Sequence, residues 1–448
     1  MSALARYFRK KGLSVSGYDK TRTALTGQLE KEGIAIHYTE DMGKIPKTIM
    51  DPGNKDKMLV VFTPAIPPSH KELVYFRDNG YRLIKRSQLL GELSRNHYTI
   101  AVAGTHGKTT VSTLIAHLMK CAEKSFTAFL GGISTNYETN LLENKSGELI
   151  VAEADEYDKS FLTLYPNIGI ITSMDPDHLD IYGSLSAMEN TYIEFAGQIK
   201  NGGTLIINKK LVNKIPLKLK KNLKIISYSI TEEADYRACS INIHGGKYVF
   251  DIETPAGVWN EVLLGHAGRH NIENSLAAIA TCSELGIREA VIRNGLEFFR
   301  GVKRRFEIIY QSETRVYIDD YAHHPEELRA CISSVKEMYP GKKVLGVFQP
   351  HLYSRTKDFC DGFAKSLSML DEVILLDIYP AREEPIQGVD SSLILNRITS
   401  KKKRISSKEN LPALLYRSDA DVILTLGAGD IDKLVEPIRK KLNGISKN

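Results

Sequence analysis

The stretch Thr99–Met119, TIAVAGTHGKTTVSTLIAHLM, decides how the rest of the chain is read. It opens as a β-branched apolar run and closes as an amphipathic helical one, so GTHGKTT joins a strand to a helix. That is the setting of a phosphate-binding loop, where backbone N–H groups and the helix dipole face an anion. The common form reads G-x-x-x-x-G-K-[ST]. Counting back five from Gly107 reaches Val102, and the glycine stands at 104 instead. The pattern therefore predicts a shorter loop. Gly104 and Gly107 allow close backbone approach, and Thr105, His106 and Thr110 line the phosphates. Lys108 neutralises the terminal phosphates, and Thr109 offers its hydroxyl to Mg²⁺. On this reading, removing Lys108 abolishes turnover with little effect on the fold.

A phosphate loop needs a metal partner, and two strand ends supply carboxylates. LIVAEADEYD carries Glu153, Asp155, Glu156 and Asp158. TSMDPDHLD carries Asp175, Asp177, His178 and Asp180. Both fall where ligands bind, at the carboxyl ends of parallel strands. Hard oxygen donors suit Mg²⁺, and His178 is the less usual ligand. Acidic strand ends also serve as helix caps and solvated turns.

Strands alternate with helices along the whole chain, which predicts α/β layers. The 448 residues suffice for roughly three domains at about 150 residues each. The first, 1–96, holds SVSGYD, MLVVFTP and LIKRSQLLGELS, and reads as a Rossmann-like domain. It begins in a helix stopped by Gly12, where a strand and a glycine-rich turn would ordinarily come first. The expectation is that the natural chain starts upstream of Met1. The second, 97–300, holds the loop, a mostly parallel sheet and a small β portion near 215–265. The third, 301–448, holds RVYIDDYA, KVLGVFQP, EVILLDIYP and DVILTLGAG, four parallel strands of a smaller Rossmann-like domain.

Apolar residues make up 42% and charged residues 25%, an ordinary globular balance. Five scattered cysteines without a C-x-x-C read as reduced thiols and not as a disulfide frame. No apolar run reaches the ~18 residues of a membrane span. The expectations are a cytoplasmic protein, no membrane or nucleic-acid partner at a net charge of +6, and a monomer or homodimer. SKKKRISS (400–407) reads as a solvated surface run.

GTHGKTT, EADEYD, DPDHLDIYG, GRHNIENSLAA, GVKRRFE, DDYAHHPEE and FQPHLYSRTKDF occur in this order. Together they closely resemble the Mur ligases of bacterial cell-wall synthesis, from residue 1 to about 440. The family pattern G-T-x-G-K-[TS] matches the short loop. The resemblance implies ATP and Mg²⁺ as cofactors, with Lys108 and Thr109 on the phosphates and metal. Glu153 is then a metal ligand and His178 holds a second Mg²⁺. His270, Asn271 and Asn274 become adenine-side contacts. Arg305 and Asp320, from the third domain, reach phosphate and ribose when that domain closes. Lys108, Glu153, His178 and Arg305 form the implied catalytic set.

Tyr321, His323, His351 and Arg355 match positions near an incoming amino acid, whose carboxylate Arg355 can pair with bidentately. The implied substrates are UDP-N-acetylmuramate and L-alanine. A sibling activity, attaching a recycled peptide to the same sugar nucleotide, shares most of the motifs. A nicotinamide-dependent oxidoreductase fits poorly beside a separate phosphate loop. A nucleotide-driven switch would hydrolyse ATP without making an amide.

Some features depart from the family or stand outside it. Leu352 stands where many relatives carry arginine. The carbamoylated lysine of several sibling enzymes has no counterpart between His178 and Lys200, leaving Glu189 or Glu194 as candidates. Adjacent His323 and His324 suit a turn with one structural histidine, and a zinc site with His351 is disfavoured.

Overall fold

The computed structural model describes residues 1–145, 147–176, 179–381 and 383–444. It separates into two compact units. One comprises Met1–Ile133, Tyr137–Tyr236 and Ala277–Ile292. The other comprises Ser134–Asn136, Arg237–Leu276 and Arg293–Asn448.

The first unit opens with the expected helix, Ser2–Lys10, followed by Gly12 at φ +86°. Its Ala3 and Leu4 join the same core as Leu89, Leu90 and Phe129. Buried Arg6 on this helix is tied to Glu32 and to the Asn140 side chain. The early strands form two separate parallel pairs. β1 (Ser16–Tyr18) lies on β2 (Ala35–His37), and β3 (Leu59–Phe62) on β4 (Arg82–Lys85). A small satellite core of Ile45, Phe76 and Tyr81 sits among them.

The main sheet of this unit uses β5 (Tyr98–Ala103), β6 (Phe126–Ser134), β7 (Thr139–Asn144), β8 (Leu149–Glu153), β9 (Ile168–Ile171), β10 (Thr204–Asn208) and β11 (Lys224–Ser229). Their order is β11-β10-β9-β5-β8-β6-β7, and the pairings from β11 through to β6 are parallel. Parallel sheets are covered on both faces, so their strands are apolar throughout. Ile100–Ala103, Ile170–Ile171 and Leu205–Ile207 are accordingly sealed from solvent. With β5 central, the loop that follows it emerges in the middle of the carboxyl edge, between the ends of β8 and β9. The acidic segments EADEYD and TSMD follow those two strands, and this is how residues about 50 and 70 positions apart reach the loop.

The second unit contains an antiparallel meander of β12 (Tyr236–His244), β13 (Lys247–Thr254) and β14 (Gly257–Leu264). Its other sheet has six strands: β15 (Glu307–Gln311), β16 (Val316–Asp320), β17 (Val344–Phe348), β18 (Glu372–Leu375), β19 (Lys402–Ile405) and β20 (Val422–Leu426). They are ordered β15-β16-β20-β17-β18-β19. The four strands read from sequence are its parallel centre. Two edges extend it: antiparallel β15, and β19, which comes from the run SKKKRISS. All four residues of β19 are exposed, and lysines on such an edge discourage pairing with other chains.

Candidate active site

Thr105 and His106 in loop 104–107 are anchored to Thr172 and Ser173, which follow β9, and Gly104 packs against Thr172. Gly104 lies at φ +136°, and a Cβ there would come 1.9 Å from Thr172 Oγ1. Gly107 at φ +82° is the N-cap of helix Lys108–Cys121. Thr105 Oγ1 meets Ser173 Oγ at 2.9 Å and accepts the Asp175 N–H at 3.1 Å. The His106 N–H donates to Ser173 Oγ at 2.8 Å, and Thr172 Oγ1 donates to the His106 carbonyl. The helix N-cap, Gly107, has no side chain to cap it, and the N–H groups of a first helical turn are a ready anion site. Thr110, also in the first turn, is buried.

Lys108 turns back into the loop. Its ammonium donates to the Gly104 carbonyl at 2.6 Å and pairs with Glu156 at 2.7 and 3.0 Å. Burial works against the charge, but Glu156, Glu153 and Asp155 outweigh it and raise the Lys108 pKa net. Burial also pushes the Glu156 carboxyl upward, and Lys108 pulls it back only partly. This burial argues against the expectation that Lys108 can be removed with little effect on the fold. Its partner is a carboxylate only 3% exposed, and removing Lys108 takes away its countercharge.

Thr109 Oγ1 donates to Glu153 Oε2 at 2.9 Å. Gly131 lies against the same carboxylate, and a Cβ there would come 1.9 Å from Glu153 Oε2. A hydroxyl and a carboxylate side by side at the foot of a phosphate loop are the hard oxygen donors Mg²⁺ takes, so these residues fit that ion. Asp175 lies 3.6 Å from His106, Asp158 pairs with Lys85, and Asp155 lies 3.6 Å from Arg86. Asp177 and His178 lie outside the described residues, as does the Asp180 side chain. Glu189 pairs with Lys214, and Glu194 is exposed. Neither is bonded to the loop among the described residues.

In the second unit the predicted residues gather at the carboxyl ends of β16 and β17. Asp320 is buried, accepting the Phe306 and Ala322 N–H groups at 2.7 Å each. It therefore clamps the turn that presents Arg305 as well as the segment carrying Tyr321. Arg304 and Phe306, on either side of Arg305, hold positive φ. Burial raises the Asp320 carboxyl to about 6. The Arg305 guanidinium lies 4.9 Å over the Tyr321 ring. Beside Arg305's turn, buried Asp319 takes Arg304 Nε at 3.0 Å.

The two adjacent histidines separate as the sequence suggested. His324 is the N-cap of helix Pro325–Met338 and packs on Phe359. His323 faces Tyr321 and His351, with ring centres at 5.3 and 6.2 Å. His351 stacks on Tyr379. Among the described residues no group of three His, Cys, Asp or Glu side chains converges as metal ligands would. Arg355 is buried on helix Tyr353–Asp358. Leu352 is the N-cap of that helix at φ +68° and gives its N–H to Tyr379 O.

His270 lies 6.1 Å from Phe306 between ring centres, and burial, with Arg305, lowers its pKa to about 4. It is therefore a neutral imidazole at physiological pH. Asn271 donates to the Ala267 carbonyl, and Asn274 donates to Asn271 Oδ1. Those amides hold each other and the turn before the helix.

Three family models match in chain order. The Mur ligase family catalytic domain covers residues 1–98, the Mur ligase middle domain 102–282 and the Mur ligase glutamate ligase domain 304–429. A UDP-N-acetylmuramate–L-alanine ligase of Porphyromonas gingivalis is 48% identical over 444 residues, 99% of this chain and 96% of that protein. The chain belongs to the Mur ligase family.

The crystal structure of a UDP-N-acetylmuramate-alanine ligase, MurC, from Thermotoga maritima matches this Mur ligase at a TM-score of 0.82. It is 28% identical and covers 99% of this chain and 96% of its own. A murein peptide ligase from Psychrobacter arcticus shares the fold at a TM-score of 0.69 and 22% identity, with 99% and 96% covered. Two residues at this Mur ligase's site were hidden in the sequence reading. Glu156 appeared there only as one of four acids. Its selection as the Lys108 partner depends on the 3-10 turn after β8. Glu327 is the other, and an acid three positions after a helix cap is the signal that marks it.

Proposed function

We propose that this chain joins L-alanine to the lactyl carboxylate of UDP-N-acetylmuramate, using ATP, in peptidoglycan precursor synthesis. The carrying observation is the near-full-length 48% identity to a ligase of that name. The phosphate loop and its acidic partners support it. The reading assigns 1–96 to the sugar nucleotide, 97–300 to ATP and 301–448 to the amino acid. It places the reaction in the cytoplasm, and among the described residues no helix is long and apolar enough to cross a membrane.

A carboxylate resists attack by an amine because its oxygen is a poor leaving group. Phosphorylation by ATP makes that oxygen leave as phosphate. The first-turn N–H groups and Lys108 hold the phosphates in line and offset charge as the γ-phosphoryl moves. To do so Lys108 exchanges Glu156 for phosphate, and Glu156 keeps it charged until then. Thr109 and Glu153 would hold Mg²⁺, which when bound supplies further charge neutralisation at the phosphates. His178 remains a candidate ligand on the family pattern. Arg305 takes the transferring phosphate, with Asp320 setting its turn and contributing to ribose recognition. His270, Asn271 and Asn274 recognise adenine. Tyr321, His323, His351 and Arg355 receive L-alanine, with Arg355 on its carboxylate. The amine attacks the acyl carbon, the C–N bond forms, and phosphate leaves.

The test is to mix the protein with ATP, Mg²⁺, UDP-N-acetylmuramate and L-alanine and to look for the adduct by mass. Adduct with L-alanine supports the reading. Adduct only with a tripeptide, or phosphate release without any adduct, rejects it.

A further inference from the structure

Glu327 sits in the first turn of helix Pro325–Met338, three positions after the N-cap His324. A carboxylate there ordinarily reaches back to the N–H of the cap residue itself. This one reaches one residue further and accepts the His323 N–H at 3.0 Å. Its Oε2 also lies 3.2 Å from His323 Nδ1, and its Oε1 lies 3.9 Å from Arg305. The side chain is only 14% exposed, so solvent screens these contacts weakly. His323 Nδ1 has a second neighbour, the Tyr321 carbonyl oxygen at 3.1 Å.

Both groups facing Nδ1 are acceptors. A carbonyl has no proton to give, and a carboxylate in its ordinary ionised form only accepts. Nδ1 must therefore carry the proton, since a lone pair there would face two oxygens. A neutral imidazole protonated at Nδ1 has its basic lone pair on Nε2. We propose that Glu327 is a positioning residue that fixes the Nδ1-protonated form of His323 and so makes Nε2 the base for the incoming amine.

The inference rests on the alanine-ligase reading for its substrate. L-alanine arrives as an ammonium with no lone pair. His323 Nε2 takes one ammonium proton, and the freed amine attacks the acyl phosphate. The C–N bond forms, the C–O bond to phosphate breaks, and the second proton lost from nitrogen leaves with phosphate or solvent. The imidazolium so formed keeps its Nδ1–H on Glu327 and Tyr321 O, which stabilises it as an acid–base partner is stabilised elsewhere.

The test uses the full chain and two measurements. Nitrogen NMR of labelled histidines, with His323→Gln to assign the signal, reads the form of His323 without any substrate. The expected result is Nδ1–H, and a dominant Nε2–H form overturns the proposal. Second, Glu327→Gln keeps an acceptor for the His323 N–H but removes the charge. The acyl phosphate is offered either L-alanine or hydroxylamine, which is already neutral at neutral pH and needs no base. Turnover with L-alanine is expected to fall about tenfold or more, and hydroxamate formation to stay within about twofold. Equal losses with both nucleophiles, or no loss with L-alanine, overturn it. Glu327→Asp is expected to recover part of the L-alanine rate, which a purely capping role would not require. If the native protein forms hydroxamate but no L-alanine adduct, the substrate reading fails, and the NMR result still decides the tautomer.

Discussion

Replacing Lys108 with Met tests the loop through its stability before any turnover is measured. The substitution keeps the apolar stem and deletes the ammonium that pairs with Glu156 at 2.7 Å. Glu156 is 2% exposed, and its backbone carbonyl accepts a hydrogen bond from Tyr182 OH. It has little freedom to swing out to water. A buried carboxylate that loses its countercharge is pushed towards its protonated form. Neutralising a group of ordinary pKa about 4.3 at pH 7 costs about 3–4 kcal/mol, at about 1.4 kcal/mol per pH unit. That ceiling agrees with the roughly 3–5 kcal/mol seen when one partner of a buried pair is removed.

The sign follows from linkage. In K108M the folded Glu156 binds its proton more tightly than the unfolded chain does. The variant is therefore near native stability in acid and loses about 1.4 kcal/mol per pH unit as pH rises above the ordinary glutamate value. The loss levels off once pH passes the raised folded value. The assay is hydrogen exchange of helix Lys108–Cys121 in native, K108M and K108M/E156Q proteins across that range. The double variant is expected to recover most of the loss, because an amide needs no countercharge. A K108M helix as protected as native at neutral pH, or no recovery in the double variant, refutes the reasoning.

Arg355→Ala is expected to raise the KM for L-alanine about 10–100-fold, the loss of a charged two-point contact, with much less change for ATP. Steady-state kinetics check it, and equal shifts for both substrates reject the carboxylate role. Gly104→Ala forces a Cβ to within 1.9 Å of Thr172 Oγ1 at φ +136°, so the dissociation constant for ATP by calorimetry is expected to rise at least about tenfold. Asp320, raised to about 6, makes the native protein lose stability as pH rises from the ordinary aspartate value to about 6. Asp320→Asn is expected to flatten that part of the curve in pH-dependent unfolding, and an unchanged slope removes Asp320 as its source.

Much of this protein was legible in its sequence because the informative features are local. A strand, a turn and a helix in 21 residues are enough to read a phosphate loop, since β-branching, glycine placement and amphipathic spacing act over a few bonds. The apolar runs of β5, β9, β10, β16, β17 and β20 announce buried parallel strands for the same reason. Features that depend on distant partners did not show. The edge strands β15 and β19 lack the apolar signature of a central strand. The early strands form two separate pairs, which composition could not indicate.

The site divides along the same line. The sequence alone determined that Lys108, Thr109 and a set of acids belong to one chemistry. The tertiary structure decided which acid does what. Glu153 meets Thr109, Glu156 holds Lys108, and Asp158 turns outward to Lys85. These three residues of EADEYD are all carboxylates, and the end of β8 with the turn after it sets their directions. His323 and His324 are likewise indistinguishable as letters. One caps a helix and the other faces Glu327, because the helix begins just after His324 and successive side chains there point in different directions.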